Sequence, residues 1–348
     1  MSTRMLRSAL ILGMGTLFFN GAIHAATLIV ANKAEASVSL IDLASEKVVA
    51  TLPVGTGPHE VAVSPDGRLA LIANYGTGAQ PGSSLTLIDV PGAKVVKTID
   101  LGEYRRPHGM AFIGNDRALV TSEASKVLLE VDIAAGKAVR ELPTGQETSH
   151  MVAVTPDGSR AFVANIRSGS ITAFDLKEGK KIADVQTGAG AEGIAVTPDG
   201  RQVWVTNREA DTVAVVDAAS LKIVKTLEAA AFPIRAEATP DGKRVLVSLA
   251  RSGDLAVFST AGLALERRVK LEATTVADTS GRLLQFGDSS APIGIEIAPD
   301  GKRAYVAHAN ADQISIVDLA EGKRVGFLAA GKEPDGMGMS PLEVKPSK

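Results

Sequence analysis

The chain has 348 residues, with 39 acidic and 37 basic side chains and no cysteine. So small a net charge argues against a general nucleic-acid binder, which needs a basic surface. The missing cysteines exclude disulfides, thiolate-ligated zinc, iron–sulfur clusters, covalent haem attachment through thioethers and thiol catalysis.

In chain order the first element is an address. Arg4 and Arg7 precede a mostly apolar run at 8–19 that is too short to span a bilayer. Gly21, Ala22 and Ala25 supply the small residues of a cleavage site. Residues 1–25 are therefore predicted to be a cleavable export signal, and 26–348 a mature chain in a bacterial periplasm. No later segment approaches a transmembrane length.

The rest of the chain repeats one unit. Each copy reads as an apolar strand, a turn, a second strand ending near Asn, a third ending in Asp, and a fourth. Pro65-Asp66-Gly67, Pro156-Asp157-Gly158, Pro198-Asp199-Gly200, Pro240-Asp241-Gly242 and Pro299-Asp300-Gly301 mark five of the turns. Gly114-Asn115-Asp116 and Ser340-Pro341 hold the other two turn positions. Proline presets φ, aspartate bonds local backbone and glycine takes positive φ, so this tripeptide is a turn with a mechanism. Successive turns are 49, 42, 42, 42, 59 and 42 residues apart. Four strands in such a step is the arithmetic of a propeller blade.

The count closes. Second strands are expected at 28–31, 69–73, 118–122, 160–164, 202–206, 244–248 and 303–307. First strands run from 61–63 to 337–339. The mature chain opens on a second strand and ends on a first strand, so 336–339 should pair beside 28–31 and leave no open edge. The predicted fold is all-β, a single seven-bladed β-propeller of four-stranded antiparallel blades over 26–348, expected as a monomer.

Ile29-Val30-Ala31-Asn32, Phe162-Val163-Ala164-Asn165 and Trp204-Val205-Thr206-Asn207 resemble the YVTN-type (YncE-like) β-propeller repeats of secreted and periplasmic proteins. The third strands at 38–42, 213–217 and 314–318 are similar too. The resemblance covers nearly the whole mature chain and implies the fold. The wider group includes lactonase-like and lyase-like propellers and propeller domains of haem- and copper-containing oxidoreductases, and no signature selects one of them.

Propellers bind where the loops of all blades converge, at one mouth of the channel. The residues just before the first strands are His59, His108, His150, Glu192, Ile234, Ile293 and Asp335. Those ending the second strands are Asn32, Asn74, Glu123, Asn165, Asn207, Leu249 and His308. Both rings belong on one face. Three histidines and a carboxylate in one register suit Zn, Cu or Fe. His59, His108, His150 and Glu192 are thus the candidate metal ligands, with Glu192 and Arg235 the candidate catalytic groups.

The bland alternative is that duplicated repeats carry one ancestral His, and the recurring Asn residues are expected to bond backbone. Arg235, Asp335, His308, Tyr104 and Arg106 are candidate ligand contacts at the same mouth. Glu237 and Glu296 replace the Ala or Gly of other blades and are expected to pair with Arg235. Insertions around 75–85 and 272–291, the latter with Arg282, Gln285, Phe286 and Asp288, should enlarge this face.

Three functions compete on these residues. The first is a binding or scaffold propeller for a small molecule or a periplasmic protein partner. The second is a metal-dependent enzyme or metal-binding protein, and the third a haem-associated redox propeller.

Overall fold

A computed structural model describes residues 27–275 and 283–345. The expected export signal and Arg282 lie outside the described residues. Among those described, 28 strands, numbered here in chain order from β1 (Thr27–Asn32) to β28 (Pro334–Ser340), form seven four-stranded sheets. Every pairing is antiparallel, and the sheets close into a seven-bladed propeller. β28 pairs with β1 in the register Leu28↔Met339, Ile29↔Gly338 and Val30↔Met337, so the two ends of the chain complete one blade as expected.

Burial follows position in the blade. Second and third strands such as Thr27–Asn32 and Ser170–Asp175 are buried almost throughout, because they pack against a neighbouring blade on both faces. Fourth strands, such as Lys180–Gln186, form the outer edge and are exposed at most positions. The core is therefore a set of interblade seams rather than one centre. Trp204 and Phe258 meet across such a seam with ring centroids 6.0 Å apart, and the Trp204 indole donates to Gln202.

The innermost strands are β4 (Pro58–Val63), β8 (Pro107–Phe112), β12 (Ser149–Val154), β16 (Ala191–Val196), β20 (Pro233–Ala238), β24 (Pro292–Ile297) and β28. They begin earlier than the apolar pattern predicts. His59 is the second residue of its strand, not the residue before it. The reason is a register break: Pro58 pairs with Asn74, but the next pair is Val61↔Ile72. Proline is tolerated as the first strand residue because its missing N–H costs nothing there. The break turns the second and third residues of each inner strand toward the channel mouth.

Inner strands also approach closely at the third position. A Cβ on Gly193 would lie 2.2 Å from the carbonyl oxygen of Ile234, and one on Gly294 2.1 Å from that of Asp335. Only glycine fits at these contacts, so larger third residues occur only at Glu60, Met151 and Arg235.

Candidate functional site

Three layers of side chains build the mouth. The outermost is the residue that follows the second-strand asparagine register. Lys33, Tyr75, Glu123 and Arg208 belong to it: each donates its backbone N–H to the residue just ahead of an inner strand, at 3.0–3.1 Å. Glu123 is thus one step past the asparagine register, where Ser122 pairs with Pro107. This corrects its expected place among the asparagines. The second layer is His59, His108, His150, Glu192, Ile234, Ile293 and Asp335. The third contains Glu60 and Arg235.

The histidines converge. The ring centroids of His59 and His108 are 5.1 Å apart, and those of His108 and His150 3.7 Å. Tyr75 packs on His59 at 4.3 Å, and its hydroxyl donates to Glu123 Oε2 at 2.6 Å. His150 Nδ1 bonds Glu123 Oε1, and its Nε2 lies 3.4 Å from Glu192 Oε1. Glu192 is held from its other oxygen by Arg208 at 2.9 Å. Suitable ligand atoms of His108, Glu123 and His150 all lie within 4.8 Å of one another.

Below the histidines, Arg235 Nη2 donates to Glu60 Oε1 across the channel, from β20 to β4. Glu192 and Asp335 lie 3.8 and 4.0 Å from the same guanidinium. Four groups of this ring keep a buried polar atom without a partner: His108 Nδ1, His150 Nε2, Arg235 Nε and Nη1, and Asp335 Oδ1. Buried polar atoms are nearly always satisfied, so such a concentration marks a place completed by solvent or ligand.

The electrostatics separate the histidines. Burial alone would lower the pKa of His150, but the hydrogen bond to Glu123 and the nearby Glu192 carboxylate overcome it and hold the ring protonated up to about 9. Burial and the charged His150 keep His108 neutral. Burial, then Lys33, lowers His59 to about 4. Glu60 is pushed up to about 7 by burial, against the pull of Arg235. Glu123 and Glu192 stay below the usual range because His150 outweighs the cost of their burial.

The expected site residues divide accordingly. His59, His108, His150, Glu192, Arg235 and Asp335 come together at the mouth. His308 does not join them. It is fully buried, with Nδ1 on the Ser290 hydroxyl at 2.9 Å and Nε2 on that of Ser315 at 2.7 Å. It stands in for the asparagines, which clasp hydroxyls of the third strand: Asn32 bonds Ser37 and Ser39, and Asn165 bonds Ser170 and Thr172.

Tyr104 turns outward to Glu141. Arg106 stacks on Tyr75 with its guanidinium 4.8 Å from the ring centroid. The expected pairing of Arg235 with Glu237 and Glu296 does not form, because Glu60 lies in its own layer across the channel whereas those two carboxylates lie deeper. The described parts of the insertions lie on this face: Tyr75 touches His59, and Phe286 packs against Ile293.

Sequence reasoning missed Glu60, Tyr75 and Arg208. The layer one residue past the asparagines, read as a column down the repeats, would have exposed Tyr75 and Arg208 beside Glu123.

Two family models match the chain. One, the cytochrome D1 heme domain, covers residues 102–283, just over half of the chain, and the other, a YNCE-like beta-propeller, covers residues 5–118. Among solved structures, Kuenenia stuttgartiensis hydrazine synthase is similar at TM-score 0.66 and 20% identity, over 80% of this chain and 89% of that one. A functionally unknown protein from Desulfotomaculum acetoxidans DSM 771 is similar at TM-score 0.74 and 12% identity, over 92% of this chain and 100% of that one. At these identities both likenesses show the fold alone. No curated protein matches the chain. By its family matches the chain belongs to the cytochrome D1 heme domain family and carries the YNCE-like β-propeller in its N-terminal third.

Proposed function

We propose that this is a periplasmic binding propeller whose loop-rich mouth holds a transition metal (copper, iron or zinc) on His108, Glu123 and His150, with a small ligand completing the site. The observation that carries the reading is the convergence of these three buried groups, two of them with an orphaned ring nitrogen. Imidazole and carboxylate donors suit these metals. Tyr75, bonded to Glu123, supplies the outer partner that orients a ligating carboxylate. Binding requires His150 to give up its proton, so metal affinity rises with pH. Asp335, with an unpartnered carboxylate oxygen in the same ring, is the contact for the small ligand.

A haem is the second reading, favoured by His59 and by the family. His59 is half-buried, and with Nδ1 donating to the Gly57 carbonyl at 2.9 Å its Nε2 is left as an acceptor. That is how a haem-ligating imidazole is fixed. Lys33, paired with Glu333 at 2.9 Å, lines the same opening, about 460 Å³ in volume, and Arg106 stacks on Tyr75 beside it; Arg106 would pair a carboxylate of a tetrapyrrole. A haem there would supply one-electron and small-molecule chemistry.

One preparation tests both readings: protein purified from the periplasm, analysed for metals and by pyridine haemochrome absorption. The first reading expects stoichiometric metal, lost in His108→Ala/His150→Ala, and no haem band. Metal content unchanged in that double variant overturns it. A haem band that disappears in His59→Ala establishes the second reading, and colourless protein with no haem uptake removes it.

A further inference from the structure

The mouth leaves two carboxylates lower in the channel unused. Glu237 on β20 and Glu296 on β24 are the fifth residues of adjacent inner strands, in the register held elsewhere by Ala62, Ala111, Ala153, Ala195 and Gly338. Both line a chamber of about 300 Å³ beneath the Arg235–Glu60 pair, at the small end of ligand pockets. Among the described residues no basic group or hydrogen-bond donor answers either carboxylate. Burial pushes Glu237 up to about 7, and Glu296 is pushed further, by burial and by Glu237 beside it. Both residues are half-buried and face the channel, and two adjacent acids there favour a proton or a cation between them.

The walls decide which cation. Calcium and magnesium need a shell of about six to eight oxygens. This layer of the channel offers methyl groups instead, and the remaining walls include Met151, Ile194, Ile295 and Met337. Such a lining suits an ammonium group on a short apolar stem, whose three N–H donors bridge the two carboxylates. The roof adds an independent demand. Arg235, only 7% exposed, lines the same chamber; its Nε and Nη1 make no hydrogen bond, Nη1 lying 3.8 Å from Glu192. Those atoms call for an oxygen acceptor at the other end of the ligand.

We propose that this chamber is a second binding site, separate from the mouth, for a small ω-amino acid: its ammonium on Glu237 and Glu296, its carboxylate under Arg235. The methylenes between them lie along the methionine and isoleucine side chains. Pro198 and Val154 line the chamber as well, so entry is from the face of the Pro-Asp-Gly turns rather than through the metal site.

The probe is 4-aminobutyrate, titrated calorimetrically into the full-length protein, with butylamine and butyrate as half-ligands. Saturable binding of 4-aminobutyrate is expected, with each half-ligand at least tenfold weaker. Glu237→Gln/Glu296→Gln should weaken it at least tenfold, while His108→Ala/His150→Ala leaves it unchanged. Because the glutamines are isosteric and remove the cost of placing two acids side by side, the thermal midpoint of the first variant should match or exceed that of the parent. The single variant Glu296→Gln, expected to lose part of the affinity, serves if the double one misfolds. Absence of binding, butylamine binding as tightly as the amino acid, or loss of binding in the histidine variant overturns the proposal.

Discussion

His150 sits between Glu123 and Glu192 with the neutral ring of His108 stacked on it, and its proton is a folding contact. In an unfolded chain a histidine titrates near 6.5, whereas here the proton is held up to about 9. The stabilisation from a raised pKa is complete below the lower value and is lost as pH climbs through the higher one. A difference of this size corresponds to roughly 3 kcal/mol at most. His59 and His108 act in the opposite sense, since both resist protonation and cost stability below pH 6.5. The term is therefore isolated by difference. Compared with His150→Asn in urea denaturation, the parent should keep its full advantage at pH 6 and lose most of it by pH 9.5. An advantage independent of pH would mean that His150 is neutral in the fold. The same residue sets the metal reading apart, because a bound metal takes the place of this proton.

At the scale of the strand, five of the seven second strands, all but those ending at Ser122 and Leu249, are tied to their third strands by a polar clasp, and His308 is the variant worth testing. His308→Asn restores the residue of four other blades and should change stability by less than about 1 kcal/mol. His308→Leu strands the hydroxyls of Ser290 and Ser315 in a buried seam and should cost about 1–3 kcal/mol. Equilibrium unfolding of both variants checks this, and equal costs would show that only volume matters there. The clasp also explains how much was legible. The strands could be read because turn chemistry and apolar alternation are local properties, and the column of His59, His108 and His150 followed from the register alone. The first residues of the inner strands were misplaced because Pro58-His59-Glu60 has no alternation to read. Glu60 itself was invisible: its meaning comes from Arg235, 175 positions away and across the channel. His308 misled for the opposite reason. A histidine in place of asparagine looks like chemistry, but both nitrogens are used in holding the blade together.

Closure makes the seven blades one cooperative unit. β28 completes the blade of β1 and is bonded to the next blade as well, since the Ser340 hydroxyl donates to the Gly67 carbonyl at 2.7 Å. Met337 packs with Leu28 and Val30 on one side and with Tyr305 and Ile314 on the other, so a single strand seals a seam between the last blade and the first. Beyond it, the Leu342 carbonyl accepts from the Thr27 hydroxyl at 2.7 Å and the Lys345 N–H donates to Pro91. Deleting 334–348 therefore bares the N–H and C=O row of β1 in the channel, removes Asp335 from the ring and opens that seam. An open solenoid that loses its end repeat loses one interface, and the remainder keeps folding. A ring has no end repeat, and an uncovered inner edge is a template for pairing with other chains. The truncated protein should accordingly lose its sharp urea transition and elute as larger species than the parent or aggregate, and a synthetic 334–348 peptide added during refolding should restore the parent's elution volume. A truncated chain that elutes as the parent does and unfolds in the parent's transition would show that six blades and three strands stand without closure.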